Sequence, residues 1–572
     1  MTLLKNRLVR PLLAAVMAAA LIPAASAQTT PAALLEMLQL YRPSPTGSYL
    51  AGRQAMDELR TEEAARYFNE AAQSDWDNPI LVERSFVAFA ANGDIREAAQ
   101  TAKRLIDLAG PNELAELVMA TEALKERRYG AAERALQTIS QDTFTGITAS
   151  MLRAWALVGE KRFEDADKTL TDLGSTGLED FLVFHRALMA EVSGRRALAL
   201  ELAEKAFDNE PYVARMVEVY SRMLGNEGRF DEASDVIASF EAEGLSHPLV
   251  TAVKQAVDAK KRPGVFATNA QIGAAEMYHG IGAALTRDGS KDLALVFLRL
   301  GQYLDPSADV ISLAIGQLLD SENQHEAANA IYDGIAASSP MKPVAVVRVA
   351  QNLDAMGERA EALRRLRNIV AVRPDDLDAV SVLGDLLRYD EEYLPAAEAY
   401  TKALEISGGE ARADWRFYYV RGISYERAKE WPKAEADFKK ALDLNPDQPS
   451  VLNYLGYSWI DMEMNLDEAL GMIEKAVEAQ PQDGYIIDSL GWAFYKLDRI
   501  DEAVETLERA VMLLPNDPEI NDHLGDAYWK AGRKLEAEFQ WNVAKSVDEE
   551  GRVTERVEPK LAQGLTTENE TE

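Results

Sequence analysis

The 572-residue chain has no cysteine and only five histidines. The first absence excludes disulfides, thiolate metal sites, thiol catalysis and lipid attachment through cysteine. The second leaves little for metal chemistry, because His185, His247, His279, His325 and His523 lie far apart and none forms an HExxH-type pair. Positive charge is scarce too, with 61 Lys+Arg against 94 Asp+Glu and a net charge of −33. That balance argues against nucleic acid or an anionic bilayer as the main partner. Neither a phosphate loop of the GxxxxGKS/T type nor a GxSxG elbow occurs. At 47% hydrophobic and 27% charged, the composition is still that of an ordinary folded chain.

The two ends read differently from the body. Residues 1–27 have the layout of an export signal: Lys5, Arg7 and Arg10, an apolar stretch from Leu12 to Ile22, then Ala25-Ser26-Ala27 as a cleavage site. The stretch is short for a membrane span, and no later segment is apolar enough for one. The expectation is a mature periplasmic protein without an integral membrane segment, the alternative being peripheral association with the outer membrane. Residues 28–44 form a short N-terminal segment. Residues 548–572 carry eight acids and three bases without evident apolar periodicity, which predicts a flexible acidic tail.

Between the ends the chain keeps a beat. Alanine recurs as Ala64, Ala98, Ala132, Ala166, Ala199, Ala233, Ala294, Ala328, Ala362, Ala396, Ala434, Ala469, Ala503 and Ala537, mostly 34 residues apart. Twelve residues earlier stands a small residue in most units, among them Gly282, Gly316, Gly384, Gly422, Gly491 and Gly525. Four residues later comes a large apolar one, such as Phe68, Leu298, Tyr332, Tyr400, Phe438, Leu507 or Trp541. In the unit 484–517, Ile487, Leu490 and Phe494 mark one helix and Ala503, Leu507, Ala510 and Leu514 a second, with Pro515 as the stop. Each unit is therefore predicted to be a helix hairpin, close-packed where glycine faces alanine. One hairpin cannot bury both stripes, so neighbours stack. The reading is an all-α chain of about 14 such hairpins: an N-terminal array over 45–245, a junction or decayed repeat over 246–274, and a C-terminal array over 275–547.

This spacing resembles the tetratricopeptide repeat (TPR), most closely at Tyr418/Gly422/Tyr425/Ala434/Phe438/Ala441/Pro446 and at Leu524/Gly525/Tyr528/Ala537/Trp541/Ala544. The resemblance implies a right-handed α-solenoid whose first helices line a concave groove. Groove positions in the last units are then Arg416 and Tyr419, Asn453 and Tyr457, Tyr485, Asp488, Trp492 and Tyr495, and Asp522 and Trp529. Aromatics supply contact area at low entropy cost, and Asn and Asp pair with peptide groups, so a protein segment is the expected ligand. No catalytic residue, metal site or cofactor is expected. Residues 449–545 further resemble bacterial envelope TPR adaptors, among them a lipoprotein partner of a carboxy-terminal processing protease. That resemblance implies a periplasmic scaffold presenting protein clients to a protease. This chain lacks the lipid-attachment cysteine, so a tether is not implied. The alternative is a scaffold for polysaccharide export or envelope assembly.

Overall fold

The computed structural model describes residues 44–566 apart from 138, 141, 142, 175 and 176. The expected signal, residues 28–43 and the last six residues lie outside the described residues. The rest is helical, with thirty α-helices and no strand among the described residues. Twenty-eight pair into fourteen hairpins, six over 45–242 and eight over 270–547. Two helices stand alone, Pro248–Asp258 and Arg552–Gln563.

The alanine beat has a steric cause. All fourteen register alanines are buried. The glycines twelve residues before them sit under the large residue of the second helix. A Cβ on Gly316, Gly384, Gly422 or Gly525 would stand 2.3–2.7 Å from Tyr332, Tyr400, Phe438 or Trp541 respectively. Three of these rings also donate a hydrogen bond to a carboxylate of the first helix: Tyr332 to Asp320 (2.7 Å), Tyr400 to Asp385 (2.7 Å) and Trp541 Nε1 to Asp526 (2.9 Å). The ring fills the hairpin and satisfies its own polar atom, as buried polar groups require.

Among the described residues, the chain divides into two compact units, 44–246 with 253–314 and 247–252 with 315–566. This moves the expected boundary. The hairpin of Ala270–Arg287 and Lys291–Leu304, read from sequence as the start of the C-terminal array, belongs to the first unit. It packs against Pro79–Asn92, Glu113–Lys125, Phe144–Gly159 and Glu179–Val192, the first helices of four consecutive N-terminal hairpins. The groove those helices would leave open is therefore filled by the chain itself. The junction is likewise resolved into a helix, Pro248–Asp258, an irregular stretch 259–269, and the opening turn of the inserted hairpin.

The inserted hairpin is held by shape and by charge. A Cβ on Gly273 would lie 2.1 Å from the Trp155 ring, and one on Gly280 would lie 2.5 Å from Phe181, so groove aromatics press directly on backbone. Tyr278 hydroxyl meets Thr121 Oγ1 at 2.6 Å, Gln271 donates to the Leu124 carbonyl (3.0 Å), and Lys125 donates to the Leu304 carbonyl (3.0 Å). Arg215 donates to Glu276 (2.9 Å) and to Glu218 (2.6 Å), both carboxylates buried and the guanidinium half-buried. Burial pushes the Glu276 carboxyl up, but Arg215 and His279 more than offset this and the net displacement is downward. His185 lies beside Trp155, Phe181 and Phe184 with both ring nitrogens unpartnered. Burial pulls it down to about 4, so it stays neutral at pH 7.

Hydrophobic burial of this extent keeps the hairpin in place without chain continuity. If a site-specific protease sequence is placed in the exposed stretch 259–262 and cut, the two fragments are expected to co-elute on gel filtration. Separation of the fragments in native buffer would contradict the clasp.

Candidate protein-binding groove

The second unit presents the face on which the sequence placed a client site. Arg416 and Tyr485 are exposed, and Tyr419, Asn453, Tyr457 and Trp529 are half-buried. Asp488, Trp492, Tyr495 and Asp522 are buried. These four are corrected from open wall to contacts between successive elements. The cause is the close approach of neighbouring first helices, which brings large rings at the expected groove positions onto the next helix. Trp492 stacks on His523 with ring centroids 4.1 Å apart, and on Tyr495 at 4.6 Å. Asp488 accepts from His523 Nδ1 at 3.0 Å.

The open part of the wall thus runs along Trp415–Arg427 and Pro449–Asp461. Tyr419 packs edge-on to Tyr454 at 6.1 Å, and Tyr454 donates to Glu426 (3.0 Å), which fixes both rings. Tyr457 faces Asp461, Asp488 and Glu519; burial first, then those carboxylates, raise its hydroxyl well above the ordinary range. Asn453 Oδ1 and Trp492 Nε1 are buried without a partner. The partly open rings of Tyr419 and Tyr457 are what a peptide-binding wall offers. A separate shallow cleft of about 340 Å³ lies on other helices, lined by Asp333, Lys342, Val346, Arg365, Asn368 and Ile369.

The expected flexible tail is also corrected. Residues Arg552–Gln563 form a helix packed on Pro518–Lys530 and Lys534–Val547. Val553 and Val557 are buried, and Lys560 is 2% exposed between Asp522 (2.9 Å) and Asp526 (2.8 Å). Arg556 pairs with Asp522 (2.7 Å) and Glu519 (2.9 Å). Val553, Arg556, Val557 and Lys560 share one face at spacings of three and four. That signal was present, but two of its four members are cations that read as solvated. The helix covers Asp522 and reaches Trp529, against which Gly564 is packed.

Burial pulls the His523 imidazolium down, but Asp488, with Glu519 and Asp522 beyond it, more than offsets this and the net displacement is upward. A histidine raised in the fold stabilises it fully below the unfolded value near 6.5, and this is lost as pH rises through the folded value. Urea unfolding of the second unit is expected to show that decline above about pH 6.5, and His523→Gln is expected to flatten it. An unchanged profile in the variant would remove the His523–Asp488 pair from the account.

No group of three or more metal-ligating side chains occurs among the described residues, nor does any helix there long and apolar enough to cross a membrane. Three stretches match family models for the tetratricopeptide repeat, residues 349–411, 415–448 and 491–532. The chain carries tetratricopeptide repeats. It is 26% identical over 195 residues to a TPR repeat-containing protein of Pseudomonas aeruginosa, covering 34% of this chain and 32% of that one. It is 24% identical over 213 residues to the human protein O-mannosyl-transferase TMTC1, covering 37% of this chain and 23% of that one. The chain thus spans about a third or less of the length of these relatives. Among solved structures, the Cut9–Hcn1 hetero-tetramer of the APC/C aligns over 93% of this chain and 98% of that one, at 15% identity and a TM-score of 0.38.

Proposed function

We propose that this protein is a non-catalytic scaffold that works in the periplasm and binds protein clients along the first helices of its second unit. One observation carries the reading. In the first unit the equivalent helices already grip a polypeptide, the hairpin 270–304, through aromatic rings on glycine and a buried ion pair. The second unit repeats that face with Tyr419, Asn453 and Tyr457 only half-buried and Arg416 exposed. Several weak contacts along such a wall gain from effective concentration, which suits presentation of a client to a protease.

The test is a photo-crosslinking residue placed at Tyr457 in the living cell, with Lys475 on a second helix as the control. Adducts with a client and a protease at 457, and none at 475, are expected. Adducts with polysaccharide-export or assembly factors instead would favour the alternative scaffold. Equal adducts at both positions would remove the groove from the proposal.

A further inference from the structure

On the second helix Arg359–Val372 every arginine has an acid: Arg359 pairs with Asp354, Arg364 and Arg365 with Glu361, and Arg367 with Glu392. Three consecutive first helices, Lys342–Ala355, Leu377–Tyr389 and Trp415–Arg427, carry arginines that do not. Arg348 donates to Gln351 (3.4 Å). Arg388 donates to the Tyr400 hydroxyl (3.4 Å) and lies over the Tyr389 ring, and Arg416 lies 5.9 Å from the Trp415 ring centre. None of the three pairs with a carboxylate among the described residues, although the chain has 94 acids to 61 bases. The acids of the same helices are engaged elsewhere. Asp354 holds Arg359, Asp385 accepts from Tyr400 and Glu426 from Tyr454. Asp378 lies in the first turn of its helix, where the helix dipole favours it.

Trp415–Arg427 also stands apart from its neighbours. Lys342–Ala355 packs on Leu377–Tyr389, and Pro449–Asp461 on Gly484–Lys496, but Trp415–Arg427 packs less on either neighbouring first helix. Ala396 and Ala434 lie 38 residues apart instead of 34, and the extra length includes Gly408 and Gly409 at positive φ. Only Gly422 and Ser424 of the helix are buried, against six residues of Leu377–Tyr389. Trp415, Tyr419 and Ile423 are left half-open, and Tyr389 is 57% exposed. Arg416 stands one turn before Tyr419. The Arg388 guanidinium is near enough to offset part of the upward push of burial on the Tyr419 hydroxyl.

We propose that this stretch of the wall, Tyr419 with Arg388 and Arg416 beside it and Arg348 on the helix before, binds acidic segments of client proteins, in which carboxylate side chains flank an aromatic or aliphatic one. The inference rests on the client reading above and names the chemistry which that reading leaves open. Charge complementarity carries it. A carboxylate gives each guanidinium the charge-assisted bonds it lacks, and the half-open rings take the apolar side chain between. A basic segment would set its cations against Arg388 and Arg416. The net charge of −33 opposes an acidic segment at long range, but that repulsion is screened beyond about 8 Å at physiological salt, so the short-range pairs decide.

The experiment selects displayed random linear peptides on the immobilised full chain. Selected peptides are expected to carry more Asp and Glu than the starting library, and to bind about tenfold more weakly to Arg388→Gln/Arg416→Gln. Arg416→Glu alone, at an exposed side chain, is expected to give a similar loss with circular dichroism unchanged, and Arg416→Lys to retain most of the binding. Selected peptides without an excess of acids would overturn the inference. If those peptides still lose affinity in Tyr457→Ala, the groove reading stands without it, whereas selection of nothing would remove both. Tighter binding of dextran sulfate than of the selected peptides, lost in Arg416→Glu, would reassign the patch to anionic glycans. Self-association of the unaltered chain that Arg416→Glu abolishes would make the occupant a second copy and overturn the proposal as well.

Discussion

Replacing Arg215 with methionine is expected to destabilise the first unit by about 3–5 kcal/mol. The arginine pairs with Glu276 of the inserted hairpin and Glu218 of its own helix, both buried. Removing it leaves the buried Glu276 carboxylate with His279 alone, at 3.5 Å. The further change Glu276→Leu is expected to recover much of the loss, since Glu218 keeps Arg222 at 3.0 Å. The ionisation has a sign. Glu276 is displaced downward, so its contribution is present above the ordinary carboxyl range and is lost as pH falls through the displaced value. Between pH 8 and 5 this pair is therefore expected to add no pH dependence. Urea denaturation of the three proteins measures this, and equal stability of all three would refute it.

The second large effect is steric. Trp155→Ala removes a fully buried ring pressed on Gly273, and a loss of about 3–5 kcal/mol is expected. Gly273→Leu meets the same ring from the other side, and overpacking of this kind costs about 1–3 kcal/mol or more. In the double variant the leucine enters the space the indole leaves. Its stability is expected to exceed that of Trp155→Ala alone, as read from the thermal midpoint. Strict additivity of the two losses would mean that ring and glycine do not meet.

The repeat was legible because its cause is local. Gly491 under Leu507, or Gly525 under Trp541, is a contact within one hairpin, and the 34-residue spacing preserves it whatever the neighbours do. The same is true of Ala503 and Ala537, both fully buried. What escaped depends on how hairpins meet. Trp492 and Tyr457 hold the same phase in adjoining repeats. One is buried because His523 follows on the next repeat's first helix, while the other stays half-open. No periodicity within a unit distinguishes them. The occupant of the first groove was hidden for another reason: Gly273 and Gly280 read as ordinary small residues until Trp155 and Phe181, more than ninety positions earlier, are placed against them. Lys560 was misjudged because a lysine near a chain end is ordinarily solvated, and its two aspartates lie 34 and 38 residues upstream.

The inserted hairpin also fixes an order of events in time. Thr121 meets Tyr278 across 157 positions, and Lys125 meets Leu304 across 179. A linear repeat array has only neighbouring contacts and frays hairpin by hairpin. Here distant links tie four of those hairpins to one late segment, so they melt together and close slowly. The helices that end at Val192 precede Leu304 by more than a hundred positions in the chain, so they can form before their cover does. Until the hairpin 270–304 is in place, Trp155 and Phe181 have no cover.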